Sequence, residues 1–410
     1  MEQIHERVAG LDVHRDSVSA CARVPGVRGG AVSHKARYAT TTAGLAELAD
    51  WLHGEAVTVV GMEATGVYWK PVFYALEDRF DVRLCNAHHV KNVPGRKTDM
   101  SDAVWLADVM AHGMVRASFV PPQPIRELRD LTRYRKRQVD TRAAEVQRLE
   151  KVLQDAGIKL TSVASEVLSM SGRNMIEALI AGQRDPQILA EMAIGRMRNK
   201  LPALAEALSG HFGSHHAVTA RQILDHIDFL DARTAAISEQ VTMRMTPFSG
   251  AVMLLVDVPG ISDRSAEVVS AETGGDMSRF PSPAHLASWA GVAPGNHESA
   301  GKRRRVGTTN GNRWLRRTLI ESAHAAARTK ASYFSAQYSQ IARRRGPNKA
   351  AVAVAHSLTD VIWHLLTTGE RFEDLGADYY QRRRDPEREA QRLVHKLEAL
   401  GHSVTLSPTA

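Results

Sequence analysis

Val8-Ala-Gly-Leu-Asp12-Val13 is the first regular segment of the chain, and Val18-Ser-Ala-Cys-Ala-Arg-Val24 repeats its pattern a few residues later. Apolar positions alternate with small or polar ones in both, the two-residue period of a strand. Asp12 falls on the parity of Val8 and Gly10, which places a carboxylate on the inward face of an apolar strand. Burying that charge is costly unless something pairs with it. Further on, Ala36–Thr40 keeps β-compatible chemistry, and Leu45, Leu48 and Leu52 recur at helical spacing. Val57–Glu63 is a β-branched run closed by Ala-Thr-Gly, with Glu63 on the parity of Val59 and Gly61. Val67–Leu76 reads as a helix, Val82–Cys85 as a short strand and Ala103–Met110 as another helix.

Three strands, then helix, strand, helix, strand, helix is the order of a ribonuclease-H-like α/β domain with a mixed, largely buried sheet. Two carboxylates on adjacent strands, Asp12 and Glu63, repel and demand a cation. Asp99 and Asp102 share one helix face if the helix at Ala103 reaches back to Thr98. Four such acids at the strand ends form an oxygen-rich pocket suited to two magnesium ions and in-line phosphoryl chemistry. Each acid alone has a plainer reading. Asp12 fits a hairpin turn, Glu63 the Ala-Thr-Gly turn, and Asp99 and Asp102 the first turn of a helix capped by Thr98. The histidines say less: nothing places His14 or His324, His88-His89 lacks further zinc ligands, and His215-His216 lies among polar helical residues.

The 410 residues carry 53 Lys and Arg against 45 Asp and Glu, a net charge of +8. With 43% apolar and 24% charged residues the chain can build real cores, which excludes wholesale disorder. Cys21 and Cys85 offer neither a disulfide framework nor zinc spacing. No apolar run approaches the ~18 residues of a membrane span; the richest lies around Ala251–Val256. The first residues lack the design of a secretory signal, so a cytoplasmic, nucleoid-associated protein without a membrane partner is expected. Neither a P-loop nor a dinucleotide glycine fingerprint occurs, so nothing points to ATP-driven chemistry. The positive excess favours a polyanionic partner, nucleic acid first.

Pro121-Pro122-Gln-Pro124 blocks helix continuation and marks the first boundary. Beyond it Ile125, Leu128, Thr132, Val139, Val146, Leu149 and Leu153 form a 4–3 seam, and Ile223, Ile227, Leu230, Ile237 and Val241 form a second. Arg135 and Arg142 occupy core-type positions of the first seam, which a dry coiled coil resists; that helix therefore turns one face to something negative. From Ala251 onward, Val258-Pro-Gly260-Ile261 ahead of an Ala/Val-rich helix is the pattern of a helix-hairpin-helix, whose glycine turn aims N–H groups at a phosphate. Four regions result: a catalytic α/β domain over 1–120, a helical coiled-coil region over 121–247, a mostly helical domain over 248–370 and a charged tail over 371–410.

His297-Glu-Ser299-Ala-Gly-Lys302-Arg303-Arg304-Arg305 sets a hydroxyl beside small residues and four cations. Serine attacks a phosphodiester poorly unless positive charge meets the developing oxyanions. By spacing alone Ser299 is an ordinary loop serine. The run itself says more: seven Lys or Arg and no acid from Lys302 to Arg317 exceeds what a solvated face needs. Thr309-Asn-Gly-Asn312-Arg leads into a helix whose Arg316 and Arg317 extend the patch.

Together these residues resemble the DEDD transposases of bacterial insertion sequences, related to the pilin-gene invertases. The resemblance spans about residues 6–370. It rests on Gly10-Leu-Asp12-Val-His, Gly61-Met-Glu63-Ala-Thr-Gly66-Val-Tyr, Lys97-Thr-Asp99-Met-Ser-Asp102-Ala and Leu128-Arg-Asp-Leu-Thr-Arg133-Tyr-Arg135. Val258-Pro-Gly260-Ile, Gly291-Val-Ala-Pro294, Ser299-Ala-Gly, Gly311-Asn312 and Leu315-Arg316 complete it. It implies a fold like a Holliday-junction resolvase, Asp12, Glu63, Asp99 and Asp102 as a magnesium-binding tetrad, and Ser299 as a nucleophile forming a phosphoserine link to DNA. It further implies contacts to nucleic acid from Arg133, Arg135, Gly260, Lys302–Arg305, Asn312 and Arg316. A composite site between protomers, dimers assembling into a tetramer, and a structured noncoding guide RNA that pairs with donor and target DNA also follow. The family's usual Ser-Ser-Gly is here Glu298-Ser299-Ala300-Gly301. Two other readings of the same residues are a metal-dependent junction nuclease that uses water and a non-enzymatic architectural DNA binder.

Overall fold

A computed structural model describes residues 3–27, 29–64, 66–85, 102–115, 117–295, 298–299, 302–303, 307–308, 310–382 and 386–407, with backbone alone at 298–299 and 302–303. The chain divides into two compact units, Met1–Pro121 and Pro122–Ala410.

The first unit is a six-stranded mixed sheet in the order β3-β2-β1-β4-β5-β6. Its elements are β1 (Val8–Val13), β2 (Ser17–Pro25), β3 (Ala31–Ala39), α1 (Thr42–Gly54), β4 (Val59–Glu63), α2 (Trp69–Leu76), β5 (Asp81–Cys85), α3 (Asp102–Ala111) and β6 (Ala117–Ser118). β1 pairs antiparallel with β2 and parallel with β4, and β4 is parallel to β5. Helices cover both faces, which is why β1 reads as a nearly unbroken apolar run. Ala9, Leu11 and Val13 pack with Leu45, Leu48 and Leu52 of α1 and Val72 and Leu76 of α2. On the other face Val8, Val59 and Cys85 meet Leu106, Val109 and Met110 of α3. β3 begins five residues before the expected Ala36, because Val32 to Lys35 lie exposed on the sheet's edge and leave no apolar period to read. The expected extension of α3 back to Thr98, with Asp99, lies outside the described residues.

The second unit opens on α4 (Gln123–Asp155), continues through α5 (Met170–Ile180), α6 (Pro186–Glu191) and α7 (Leu201–Ala207), and returns along α8 (Ser214–Met245). Leu149 and Leu153 of α4 pack against Ile223 and Ile227 of α8, whereas Ile125 and Leu128 meet Val241 and Met245. The two long helices are therefore antiparallel neighbours, joined along the two sequence seams. Then follow α9 (Ser249–Val256), α10 (Asp263–Thr273), α11 (Pro283–Ala290), the hairpin β7 (Glu298–Ser299) and β8 (Lys302–Arg303), α12 (Arg313–Arg328), α13 (Tyr333–Arg345) and α14 (Pro347–Thr368). α15 (Tyr379–Arg382) and α16 (Pro386–Glu398) occupy the tail. Helices α9 to α14 share one core, with Leu255, Leu286, Leu319, Phe334 and Leu358 at its centre. α14 is long and apolar enough by composition to cross a membrane, although its apolar residues are interrupted by polar ones. Its Ala350, Val354, Leu358 and Ile362 are buried in this core.

Candidate functional site

Two glycines explain how the acidic end of the sheet is built. A Cβ at Gly10 would stand 2.2 Å from the Ala103 carbonyl oxygen and 2.5 Å from the Ala107 nitrogen, so β1 lies directly under the backbone of α3. At Gly61 a Cβ would stand 2.8 Å from Met110 Cγ, which puts β4 under the same helix. Two residues along each strand, on the same face, come Asp12 and Glu63. The parallel register pairs Gly10 with Gly61 and Leu11 with Met62, so Asp12 and Glu63 are the next pair, at the C-terminal ends of both strands. α3 runs antiparallel to β1, from Ala103 above Gly10 to Ala111, whose carbonyl accepts from the His5 amide at 3.0 Å. Its first residue, Asp102, is exposed at the end where Asp12 and Glu63 lie.

Three of the four expected acids thus lie toward one end of the sheet, and Asp99 is outside the described residues. Asp12 is half-buried with its Oδ2 3.2 Å from His14 Nε2. Glu63 is half-buried opposite Cys85 in the β4–β5 register. Burial, with the Glu63 charge beside it, pushes the Cys85 thiol up to about 12. Hard carboxylate oxygens open to solvent at strand ends are the donor set a magnesium-like cation takes.

Ser299 belongs to a small hairpin in the second unit. Its register sets Ser299 opposite Lys302 and Glu298 opposite Arg303, and Arg304 and Arg305 lie outside the described residues. The root is a bridge between Pro294 and Thr308, with the Gly295 amide donating to the Gly307 carbonyl at 2.9 Å. Below it the chain crosses itself at two glycines: a Cβ at Gly311 would lie 2.3 Å from the Gly291 nitrogen. Gly291 also ends α11 in the left-handed region, at φ 76°. Arg316 Nη1 ties the root together, donating to the Gly291 carbonyl and to Thr308 Oγ1, each at 2.5 Å. Asn312 Oδ1 accepts from the Trp314 and Leu315 amides and caps α12. Both residues are expected at nucleic acid from the family resemblance; within the chain Arg316 binds the hairpin root and Asn312 caps α12.

The arginines of α4 have a similar occupation. Arg133 makes a bidentate pair with Glu272 of α10, both bonds 2.7 Å, and Asn312 Nδ2 donates to the same carboxylate at 2.6 Å. Arg129 donates to the carbonyls of Ala271 and Glu272, and its burial pulls the guanidinium down to about 10. Arg135 is buried at 2.6 Å from Glu267, and Arg142 pairs with Asp231 at 2.5 Å. The negative partner that the seam called for is the protein's own. Glu267 and Glu272 escaped the sequence reading, although their signal was present: two acids on the buried side of an Ala/Val-rich helix need cations somewhere. Gly260 also has a packing role. A Cβ there would sit 2.3 Å from the Ser322 carbonyl oxygen, and the Ile261 amide donates to Val258. The glycine seats the turn on α12, and that amide is already engaged.

His216 is buried, with Nδ1 accepting from the Gly213 amide and Nε2 2.9 Å from Asp155 Oδ2. His215 joins them closely enough for three ligand atoms to share an ion. A ring whose Nδ1 accepts from an amide keeps its proton on Nε2, however, so this trio fastens the end of α4 to the start of α8.

An acid-lined sheet end and a hydroxyl hairpin in a basic stretch define a class, the DNA-processing recombinases. Residues 9–158 match a family described as transposase, of the DEDD type, and residues 252–339 match the transposase IS116/IS110/IS902 family. The chain is 26% identical over 384 residues to the transposase for insertion sequence element IS1111A of Coxiella burnetii, covering 89% of this chain and 91% of that protein. It is 31% identical over 121 residues to the insertion element IS110 uncharacterized 43.6 kDa protein of Streptomyces coelicolor, 29% of this chain and 30% of that one. The chain belongs to the IS110 family of transposases. Its substrate is accordingly DNA, and the DEDD type implies dependence on a divalent metal.

Proposed function

We propose that the chain cuts and rejoins DNA strands through a covalent phosphoserine link, with Asp12, Glu63, Asp99 and Asp102 holding two magnesium ions at the C-terminal end of a ribonuclease-H-like sheet. The observation that carries this reading is that Asp12 and Glu63 each follow the last parallel pair, Leu11 with Met62, at the end of the sheet where α3 begins. The sheet order and the antiparallel β1–β3 segment support the fold assignment. Bound cations there supply charge stabilisation to a phosphate. Ser299 Oγ attacks a backbone phosphorus, a deoxyribose oxygen leaves, and the serine proton passes to that oxygen. One phosphodiester replaces another, so no external energy source is needed. Lys302, directly across the hairpin, and Arg303 offset the developing negative charge. The sites act in a homo-oligomer, dimers assembling into a tetramer, so that tetrad and serine come from different protomers. A noncoding RNA from the element selects donor and target, in the bacterial cytoplasm at the nucleoid.

Denaturing gels of the full chain with the element's transcript and its end sequences test this. A magnesium-dependent protein–DNA band should form in the parent and vanish in Ser299→Ala, and Asp12→Asn should lose at least 100-fold in recombination. Full recombination by Ser299→Ala with no band in the parent overturns the nucleophile assignment and leaves a nuclease that uses water.

A further inference from the structure

The chain beyond α14 is fastened to the start of α13 by its own side chains. Phe372 stacks on the buried Phe334, their rings 14° from parallel. Asp374 Oδ1 accepts from the Tyr333 amide at 2.9 Å and from the Gly376 amide at 2.8 Å. Tyr380 stacks on Tyr333 with ring centroids 5.5 Å apart, and its hydroxyl donates to the Tyr333 hydroxyl at 3.0 Å. With the tail anchored in this way, α16 meets the last turns of α13 across a cleft of about 520 Å³.

Cations from both helices line that cleft. α13 contributes Arg343 and Arg344, and α16 contributes Arg392 and Lys396, one helical turn apart. Among the described residues no acid lines the space. Arg343, Arg344 and Lys396 are exposed, and none of the three meets a carboxylate among the described residues. Basic residues in the last turn of a helix complement its negative end, which accounts for Arg343 and Arg344. That effect does not reach Arg392, which lies before the last turn of α16. Nor does it give a reason to gather four like charges around one space, where they repel. A shared anion does.

The donors identify the anion. Guanidinium forks match phosphate oxygens two at a time. Ser339 and Gln340 add neutral donors beside them, of the kind that meet a nucleic-acid backbone. Four cations suit a run of phosphates rather than one isolated ion, and DNA, the substrate of this chain, presents such a run. We propose that the cleft between α13 and α16 grips the phosphate backbone of DNA, as a contact site distinct from the Ser299 hairpin. Such a contact reads no base, so it adds affinity and holds the duplex whatever its sequence. It stands whether or not Ser299 forms a link to DNA.

The test uses the full chain without divalent cation, so that no strand is cut. Cys21 and Cys85 are both buried, and Ser339→Cys therefore places one exposed thiol in the cleft. End-sequence duplex should slow its labelling by a maleimide several-fold, whereas inorganic phosphate should leave the rate unchanged. Fluorescence anisotropy across a salt series gives the second readout. The log–log slope should fall by about one in Lys396→Ala and by about two in the double variant Arg344→Ala, Lys396→Ala. Arg196→Ala removes an exposed charge outside the cleft and should leave the slope as it was. Duplex that binds without protecting the thiol overturns the proposal, as does an equal change of slope in Arg196→Ala. Protection by inorganic phosphate, or by the element's transcript and not by DNA, overturns it too, because the occupant is then a free ion or an RNA. A chain whose thiol is protected but which forms no covalent adduct once magnesium is added keeps the cleft and loses the serine reading.

Discussion

Gly10 carries more of the acidic site than its size suggests. It lets α3 approach β1 so closely that Asp102 arrives at the strand end where Asp12 and Glu63 lie. A methyl group there meets backbone, which cannot yield locally, so Gly10→Ala should cost about 1–3 kcal/mol as an overpacked core position. The same change at Gly61 meets the Met110 side chain at 2.8 Å. A thioether chain can rotate aside, and the loss should stay below about 1 kcal/mol. Urea denaturation of the two variants side by side measures the difference; equal midpoints would mean that α3 does not rest on Gly10. Cys85 offers a second test at this scale. With its thiol pushed up to about 12 and its side chain fully buried, it should resist iodoacetamide at pH 8 in the native chain and react once urea unfolds it. Native-state labelling followed by peptide mapping decides the point. The alternation of β1 and β4 made Asp12 and Glu63 legible in the sequence, since each shares its strand's inward parity. The glycine contacts that bring Asp102 to them were not, because a missing side chain leaves no periodic mark.

At the level of elements, the second unit turns on one carboxylate. Glu272 of α10 is fully buried and takes Arg133 from α4 and Asn312 from the cap of α12. Removing one member of such a buried set leaves the others uncompensated and typically costs about 3–5 kcal/mol. Glu272→Ala should therefore lower the urea midpoint sharply, and Glu272→Gln, which keeps the shape and one acceptor, should fall between it and the parent. A Glu272→Ala chain as stable as the parent would show that the three helices are held by apolar contacts alone. The two long helices could be read in advance because their seams repeat over several turns. α5 to α7 could not: each is short, and their Leu and Ile residues bury against one another as well as against α4 and α8. Arg133 and Arg135 are expected at nucleic acid from the family resemblance, and Arg135 also sits in the seam. A cation in a seam declares that it needs a negative charge, but not whether the chain folds one back from more than a hundred residues away.

For the whole molecule, the acidic cluster and the basic run fall in different compact units. The acidic cluster is built within Met1–Pro121, whereas the run from Lys302 to Arg317 belongs to Pro122–Ala410. A protein with a net charge of +8 binds DNA largely by displacing counterions, so its affinity should fall linearly on a log–log plot against salt, with a slope of about 0.9 for each phosphate neutralised. Chemistry and binding should then separate. Asp12→Asn removes a negative charge from the acidic end of the sheet, so on the proposed function DNA affinity without divalent cation should stay level or rise modestly while cleavage is lost. Lys302→Ala should do the reverse to the binding curve, reducing the slope by about one if the proposed phosphate contact of Lys302 is made. Fluorescence anisotropy with one DNA duplex across a salt series, run in parallel with the cleavage gel, measures both. If Asp12→Asn instead weakens binding tenfold and leaves the salt slope unchanged, the carboxylate supports the fold rather than a cation. The architectural alternative makes its own forecast, a parent chain that follows the same salt line and leaves the duplex intact at every magnesium concentration.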